Sequence, residues 1–165
     1  MEELITMNYD EAMNISKVEF GRMPPQAFLL GLLSAFDNRY QAAADKYFKE
    51  ITWKQFFAII CINLCKEAPT LNDLSEVMGS SHQNVKQILL KLESKGFVAM
   101  KNDEKDKRKQ RFIVTEKCRE FMKENDNQNR NSEKIIMSIF EGVDNTSLKV
   151  TIETIIKMER NLSRI

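Results

Sequence analysis

The chain has 165 residues, 42% of them apolar and 30% charged, the make-up of an ordinary globular domain with a real core. Its net charge is only +1, so a surface for a polyanion has to arise from local segregation of charge. The start, MEELITMNYDEA, is acidic where a secretory leader needs positive charge, and the longest apolar run, Phe56 to Ile62, falls far short of the roughly 20 residues of a membrane span. A cytoplasmic protein with no membrane partner is expected.

Taken in chain order, the first strong pattern begins at Pro25, a residue suited to a first helical turn. Leu29, Leu32, Leu33, Phe36, Tyr40, Ala43 and Tyr47 then follow 3-and-4 spacing over about six turns. A second helix, opened by Ile51-Thr52-Trp53-Lys54-Gln55, carries Cys61 and Cys65 four residues apart. These thiols are expected to act as small core residues, since an i, i+4 pair on a helix is poorly placed for a disulfide. With His82 as the sole histidine and no Cys-x-x-Cys pair, no metal or other cofactor is expected.

The most informative segment runs from 70 to 115. Thr70, directly after Pro69, can cap a short helix whose third position is Asp73, with Leu71, Leu74, Val77 and Met78 at helical spacing. Gly79 ends it and Ser81 caps the next helix two residues later, so the turn is tight and the two helices must cross. In that second helix Val85, Ile88, Leu89 and Leu92 form one buried stripe, which leaves Gln83, Lys86, Gln87, Leu90 and Lys91 outward. This outer face carries no acid. Its glutamines can read adenine, its lysines can reach phosphate or guanine, and Leu90 can meet a thymine methyl. His82 and Asn84 flank the face near the helix start, where recognition helices meet base edges.

Gly96 closes the helix, and Phe97 to Met100 is expected to pair with Arg111 to Thr115 as a hairpin. Lys101 to Arg111 holds six basic and three acidic residues, a surplus that leaves the remainder of the chain net negative. A charged loop is by itself usually just solvated. Placed between two strands, after a capped helix-turn-helix, it becomes the wing of a winged helix-turn-helix and points to duplex DNA.

Several of these segments resemble the MarR family of bacterial transcriptional regulators. The matching residues are Ile51-Thr52-Trp53-Lys54-Gln55, the Gly79-Ser80-Ser81 turn, Leu92-Glu93 before Lys95-Gly96-Phe97-Val98, and Asp106-Lys107-Arg108 leading to Val114-Thr115-Glu116-Lys117. The resemblance is strongest from about 51 to 121. It implies that Arg108 reaches into the minor groove and that Asp106 orients it as wing support. Cys118 stands where the family commonly has Gly, and Leu90 where a polar residue is frequent. The expected DNA-contacting set is Thr70, Ser81, His82, Gln83, Asn84, Lys86, Gln87, Lys91, Lys107, Arg108 and Lys109.

The terminal helices exceed what a small winged helix needs. Ile135, Ile136, Ile139 and Phe140 form one apolar patch, and Leu148, Ile152, Ile155, Ile156 and Leu162 another, separated by a turn from Glu141 to Thr146. Pairing of such faces between two chains gives a twofold homodimer, and a dyad implies an inverted-repeat operator. The expected organisation is one MarR-like domain over 1–165, mainly α with a small β-hairpin wing: a winged helix-turn-helix at 50–115, and helical dimerisation portions at 20–48 and 116–165. The resemblance further implies a small-molecule effector between the dimerisation helices and the winged portion, with Phe28, Phe36, Tyr40, Trp53, Phe56 and Phe57 as aromatic candidates for its walls. No nucleophile elbow, phosphate-binding glycine loop or histidine pair is present, so an enzyme is not expected. The reading is a ligand-responsive repressor. Two alternatives stay open: a winged-helix module gripping an acidic protein partner, and a regulator in which Cys61 or Cys65 senses oxidants.

Overall fold

The computed structural model describes residues 20, 23–46, 48, 50–104, 106–128 and 136–165. Their order is α1 (Pro25–Ala44), α2 (Trp53–Leu64), α3 (Leu71–Val77), α4 (His82–Ser94), β1 (Val98–Asn102), β2 (Gln110–Val114), α5 (Glu116–Gln128) and α6 (Asn145–Leu162), with a further helical turn at 136–139. The fold is therefore mainly helical around one two-stranded antiparallel sheet, in which Val98 pairs with Val114 and Asn102 with Gln110.

Local chemistry explains the boundaries. Thr52 closes a capping box with Gln55, its hydroxyl accepting from the Gln55 N–H at 3.3 Å while the Gln55 side chain accepts from the Thr52 N–H at 3.1 Å. Thr70 and Asp73 repeat the device at α3. Ser81 caps α4, its hydroxyl accepting from the Asn84 N–H at 3.3 Å. Gly79 and Gly96 take φ of +59° and +73°, the left-handed conformation that lets the chain leave α3 and α4 within one or two residues.

The described residues up to Cys118 form one compact unit and those from Arg119 a second, the division falling inside the first turn of α5. Within the first unit α1 packs on α2. The core of the first unit brings Ala58, Ile59, Cys61 and Ile62 of α2 together with Leu74 of α3, with Val85, Ile88, Leu89 and Leu92 of α4, and with Phe97, Val98, Phe112 and Val114 around the sheet. The α4 stripe is thus the one its spacing predicts. Burying a leucine or isoleucine of this kind removes its side chain from water at about 1.5–3 kcal/mol each, so these residues set the stability of the unit.

Several expectations need correction. Cys61 is buried, but Cys65 is only half-buried: α2 ends at Leu64 and Cys65 is its extended C-terminal cap, so it is not a core residue on the helix. Val77 is exposed, because α3 is two turns long and its buried face is held by Leu74. The first long helix spans 20 residues, close to the six turns expected, and ends at Ala44. Tyr47 and Ile135 lie outside the described residues. The strands start one residue later and earlier than expected, at Val98 and Gln110, since Phe97 turns into the core.

Candidate nucleic-acid interface

The outward face of α4 is as the spacing predicts. Gln83, Lys86, Gln87, Leu90 and Lys91 are all exposed, as are Ser81 and His82 at the helix start. The face presents amide and ammonium donors with no carboxylate among those five residues, and Leu90 adds an apolar spot that is 42% exposed. Asn84 behaves differently: its side-chain amide donates to the Ser80 hydroxyl at 2.8 Å, which turns it back over the α3–α4 turn.

The hairpin tip is built by a short series of hydrogen bonds. The Asp103 N–H donates to the Lys109 carbonyl at 2.9 Å and the Lys109 N–H to the Asp106 carbonyl at 2.8 Å, which closes the tip. The Asp103 carboxylate accepts from the Asp106 N–H at 2.7 Å. Asp106 in turn accepts from Arg108, from its N–H at 3.2 Å and from its Nε at 3.4 Å. The Arg108 side chain is 93% exposed, so this contact leaves its guanidinium in solvent with most of its donors available.

Lys107 and Lys109 are exposed beside it. A recess of about 550 Å³ separates the wing from α3 and α4, and Thr70, Lys86, Leu90, Arg108 and Lys109 all line it. It therefore draws four of the expected contact residues, plus Leu90, to one place. Ser81, His82, Gln83, Asn84, Gln87, Lys91 and Lys107 do not line it.

Thr70 has a second task at this edge. Its hydroxyl donates to the Asp73 carboxylate at 2.8 Å, and the same carboxylate accepts from the Thr70 N–H at 2.7 Å. These bonds from Thr70 hold the Asp73 carboxyl below the usual carboxylate range, with smaller help from Arg111 and Lys109. Thr70 also bridges to Arg111 of β2, and the Phe112 N–H donates to the Pro69 carbonyl at 2.9 Å.

Arg111 and Asp103 are the residues that sequence reasoning missed. Asp103 was counted only as a charge in the tip, and Arg111 only as a charge and the first residue of the return strand. Asp103 is buried, and its carboxylate forms an ion pair with Nε of Arg111, whose Nη1 donates to the Ala68 carbonyl at 2.6 Å. Hydrogen bonding to Asp103 raises the Arg111 pKa further. The signal that could have found them is positional: the strand pair ends at Asn102 and Gln110, so residues 103 and 111 sit at the turn end of the hairpin, within side-chain reach of each other.

The aromatic candidates divide. Tyr40, Trp53 and Phe57 line a second recess of about 370 Å³ together with Asp37, Lys54 and Met78, between α1, α2 and the α3–α4 turn. Tyr40 packs edge-on against Trp53 with ring centroids 4.7 Å apart, and burial raises its phenol pKa. Phe28, Phe36 and Phe56 do not line this recess: Phe28 packs on Phe20, Phe36 stacks on Tyr40 from the exposed side, and Phe56 lies between Phe48 and Trp53. For the cysteines, burial first and Cys65 second push the Cys61 thiol up, which keeps it protonated and poorly nucleophilic.

Comparison with known proteins bears on the whole arrangement. The MarR family model matches residues 51–109, from the cap of α2 to the tip of the wing. No curated protein sequence matches the chain. Among solved structures, a MarR/EmrR-family transcriptional regulator from Acinetobacter sp. ADP1 is similar with a TM-score of 0.73 at 12% identity, covering 87% of this chain and 100% of that one. The S. aureus MepR–DNA complex is similar at 0.67 and 15% identity, covering 79% and 94%. BpsR of Bordetella bronchiseptica, whose DNA binding is described as regulated by 6-hydroxynicotinic acid, is similar at 0.66 and 21% identity, covering 78% and 91%. Residues 51–109 match the MarR family model and fold as a winged helix-turn-helix, and the chain around them is similar in fold to these solved structures.

Proposed function

We propose that the protein is a sequence-specific regulator of transcription that binds double-stranded DNA as a homodimer in the cytoplasm, a repressor released by a small molecule. The observation that carries this reading is the exposed, acid-free face of α4 set beside a wing that presents Arg108 to solvent. An α-helix with such a face fits the major groove, and an exposed arginine on a hairpin suits the adjacent minor groove or phosphate edge. In this reading Gln83 and Gln87 read base edges, His82 and Asn84 flank them, and Ser81, Thr70, Lys86, Lys91, Lys107 and Lys109 meet phosphates. Asp106 supports Arg108. The similarity to a MarR-fold protein solved with DNA supports the same role.

The dimer rests on α6. None of its residues is buried, although Ile152, Ile156 and Leu162 lie exposed on a helix of 18 residues. A second copy of the same helix is the simplest cover, and twofold pairing places two reading heads about one DNA turn apart. The effector reading rests on the recess walled by Tyr40, Trp53 and Phe57, which is large enough for a small aromatic molecule and touches both α1 and the turn before α4. A ligand there can change the position of the reading head. BpsR, similar in fold, is regulated by such a molecule.

Selection of bound duplexes from a random pool tests the reading. Recovery of an inverted repeat with half-site centres about 10 base pairs apart is expected, with binding that weakens by a slope of about −0.9 in log K per neutralised phosphate as salt is raised. No enrichment, together with salt-insensitive retention of an acidic protein, would replace it with the interaction-module reading.

A further inference from the structure

Two arginines three residues apart in the wing have opposite surroundings. Arg108 is 93% exposed, while the Arg111 side chain is 30% exposed and engaged on two sides. Its Nε pairs with the Asp103 carboxylate, at the start of the tip, and its Nη1 donates to the Ala68 carbonyl, in the loop that leads into α3. The pair is screened from water on the Asp103 side, where only 8% of the side chain is accessible.

From the Resulting connectivity we infer that Arg111 and Asp103 are positioning residues that lock the wing to the loop before α3 and thereby set where Arg108 stands. The links are continuous. Ala68 holds Arg111, Arg111 holds one oxygen of Asp103, the other oxygen holds the Asp106 N–H, and Asp106 holds Arg108. Two backbone connections run parallel to this series, the Phe112 N–H to the Pro69 carbonyl and the bridge between Thr70 and Arg111. A hairpin anchored only at its base swings at its tip; a guanidinium that ties the tip to the body removes that freedom before DNA arrives, so less ordering cost falls on binding. Arg is suited to this and Lys is not, because its planar fork reaches an acid and a carbonyl at once.

The inference rests on the DNA-binding reading and makes a prediction opposite in sign to charge counting. On charge alone, Asp103→Asn removes a negative group beside the phosphates and strengthens binding, while Arg111→Lys changes nothing. With the clamp, both weaken binding. The experiment titrates wild-type protein, Asp103→Asn, Arg111→Lys, Arg111→Gln, the double Asp103→Asn/Arg111→Gln, and Arg108→Ala against a duplex recovered with the wild type from a random pool, across a series of salt concentrations.

Asp103→Asn and Arg111→Gln are each expected to weaken binding about tenfold and Arg111→Lys by less, with the salt slope of all three unchanged. The double variant is expected to be no weaker than the worse single one, as for two groups acting as a unit. Arg108→Ala alone is expected to flatten the slope by about 0.9. Thermal unfolding accompanies each titration, and Arg111→Lys keeps the test informative if the neutral variants fold poorly. Tighter binding by Asp103→Asn, wild-type binding by Arg111→Lys, or a slope flattened by Arg111→Gln as by Arg108→Ala would overturn the clamp. Failure of the wild type to bind any duplex would instead overturn the DNA-binding reading, and the clamp with it.

Discussion

The unit that ends at Cys118 and the unit that begins at Arg119 use apolar residues in opposite ways. In the first, Leu74, Val85, Leu92 and Phe97 are almost wholly buried within the chain, and the exposed face of α4 is polar apart from Leu90. In the second, α6 is well formed and well capped, Asp144 accepting from the N–H groups of Thr146 and Ser147 at 2.9 and 3.0 Å, yet none of its residues is buried. A helix is held by propensity and caps only marginally, and by packing of its apolar face in the main. The contrast teaches that the winged unit carries its own core, whereas the C-terminal helix keeps its apolar residues unburied.

The largest effect that sharpens this contrast belongs to the core. Leu92→Ala is expected to cost about 2–5 kcal/mol, read as a fall in the denaturant midpoint that does not depend on protein concentration. Ile156→Asp should leave the winged unit folded by circular dichroism and instead abolish self-association in sedimentation. Concentration-independent destabilisation by Ile156→Asp would break the comparison, since α6 would then belong to the chain's own core.

On the DNA-facing side, Arg108→Ala is expected to weaken duplex binding by about 1–3 kcal/mol. Gln87→Ala should change which sequences are preferred more than how tightly they are held. An Arg108→Ala protein that binds its selected duplex like the wild type would remove the wing from the interface. Equal sequence preference in Gln87→Ala would remove that glutamine from base reading.

The smallest effects compare the caps of the two units. Thr70→Ala is expected to cost about 1 kcal/mol. Asp73 and Asp144 both have carboxyl groups held below their ordinary value of 3.8, Asp73 chiefly by bonds from Thr70 and Asp144 chiefly by the Ser147 hydroxyl and N–H. A carboxyl depressed in the folded state contributes stability that is fully present above its unfolded pKa and lost as pH falls through the folded one. Stability should therefore decline slightly below about pH 4, and Asp73→Asn should remove its share of that decline. Titration of unfolding midpoints from pH 5 to 2 measures it, and an unchanged acid limb in Asp73→Asn would show that the carboxylate contributes nothing there.

Much of the winged unit is legible in the sequence. The caps at Thr70 and Ser81, the positive-φ glycines at 79 and 96 and the α4 stripe are local features, each decided by residues within a few positions of one another. The site was less legible. Charge counting grouped Arg108 with Arg111, yet one faces solvent and the other is held by a carbonyl 43 residues earlier. The aromatic pattern named six candidates for a ligand crevice without separating Tyr40, Trp53 and Phe57 from Phe28, Phe36 and Phe56, because spacing says which face of a helix a ring shares and not what that face meets.

Hydrophobic periodicity, capping residues and glycine placement settled where the two helices of the helix-turn-helix begin, which side of α4 is buried, and that α4 offers a polar surface. These are short-range choices of backbone conformation and solvation, written into neighbouring residues. The packing of chain segments far apart in sequence decided which arginine is an anchor and which is a probe, that Cys65 is a helix cap and not core, and that α1 joins the winged unit. Such outcomes depend on which carbonyls, carboxylates and apolar surfaces meet in space, and no local pattern encodes those partners.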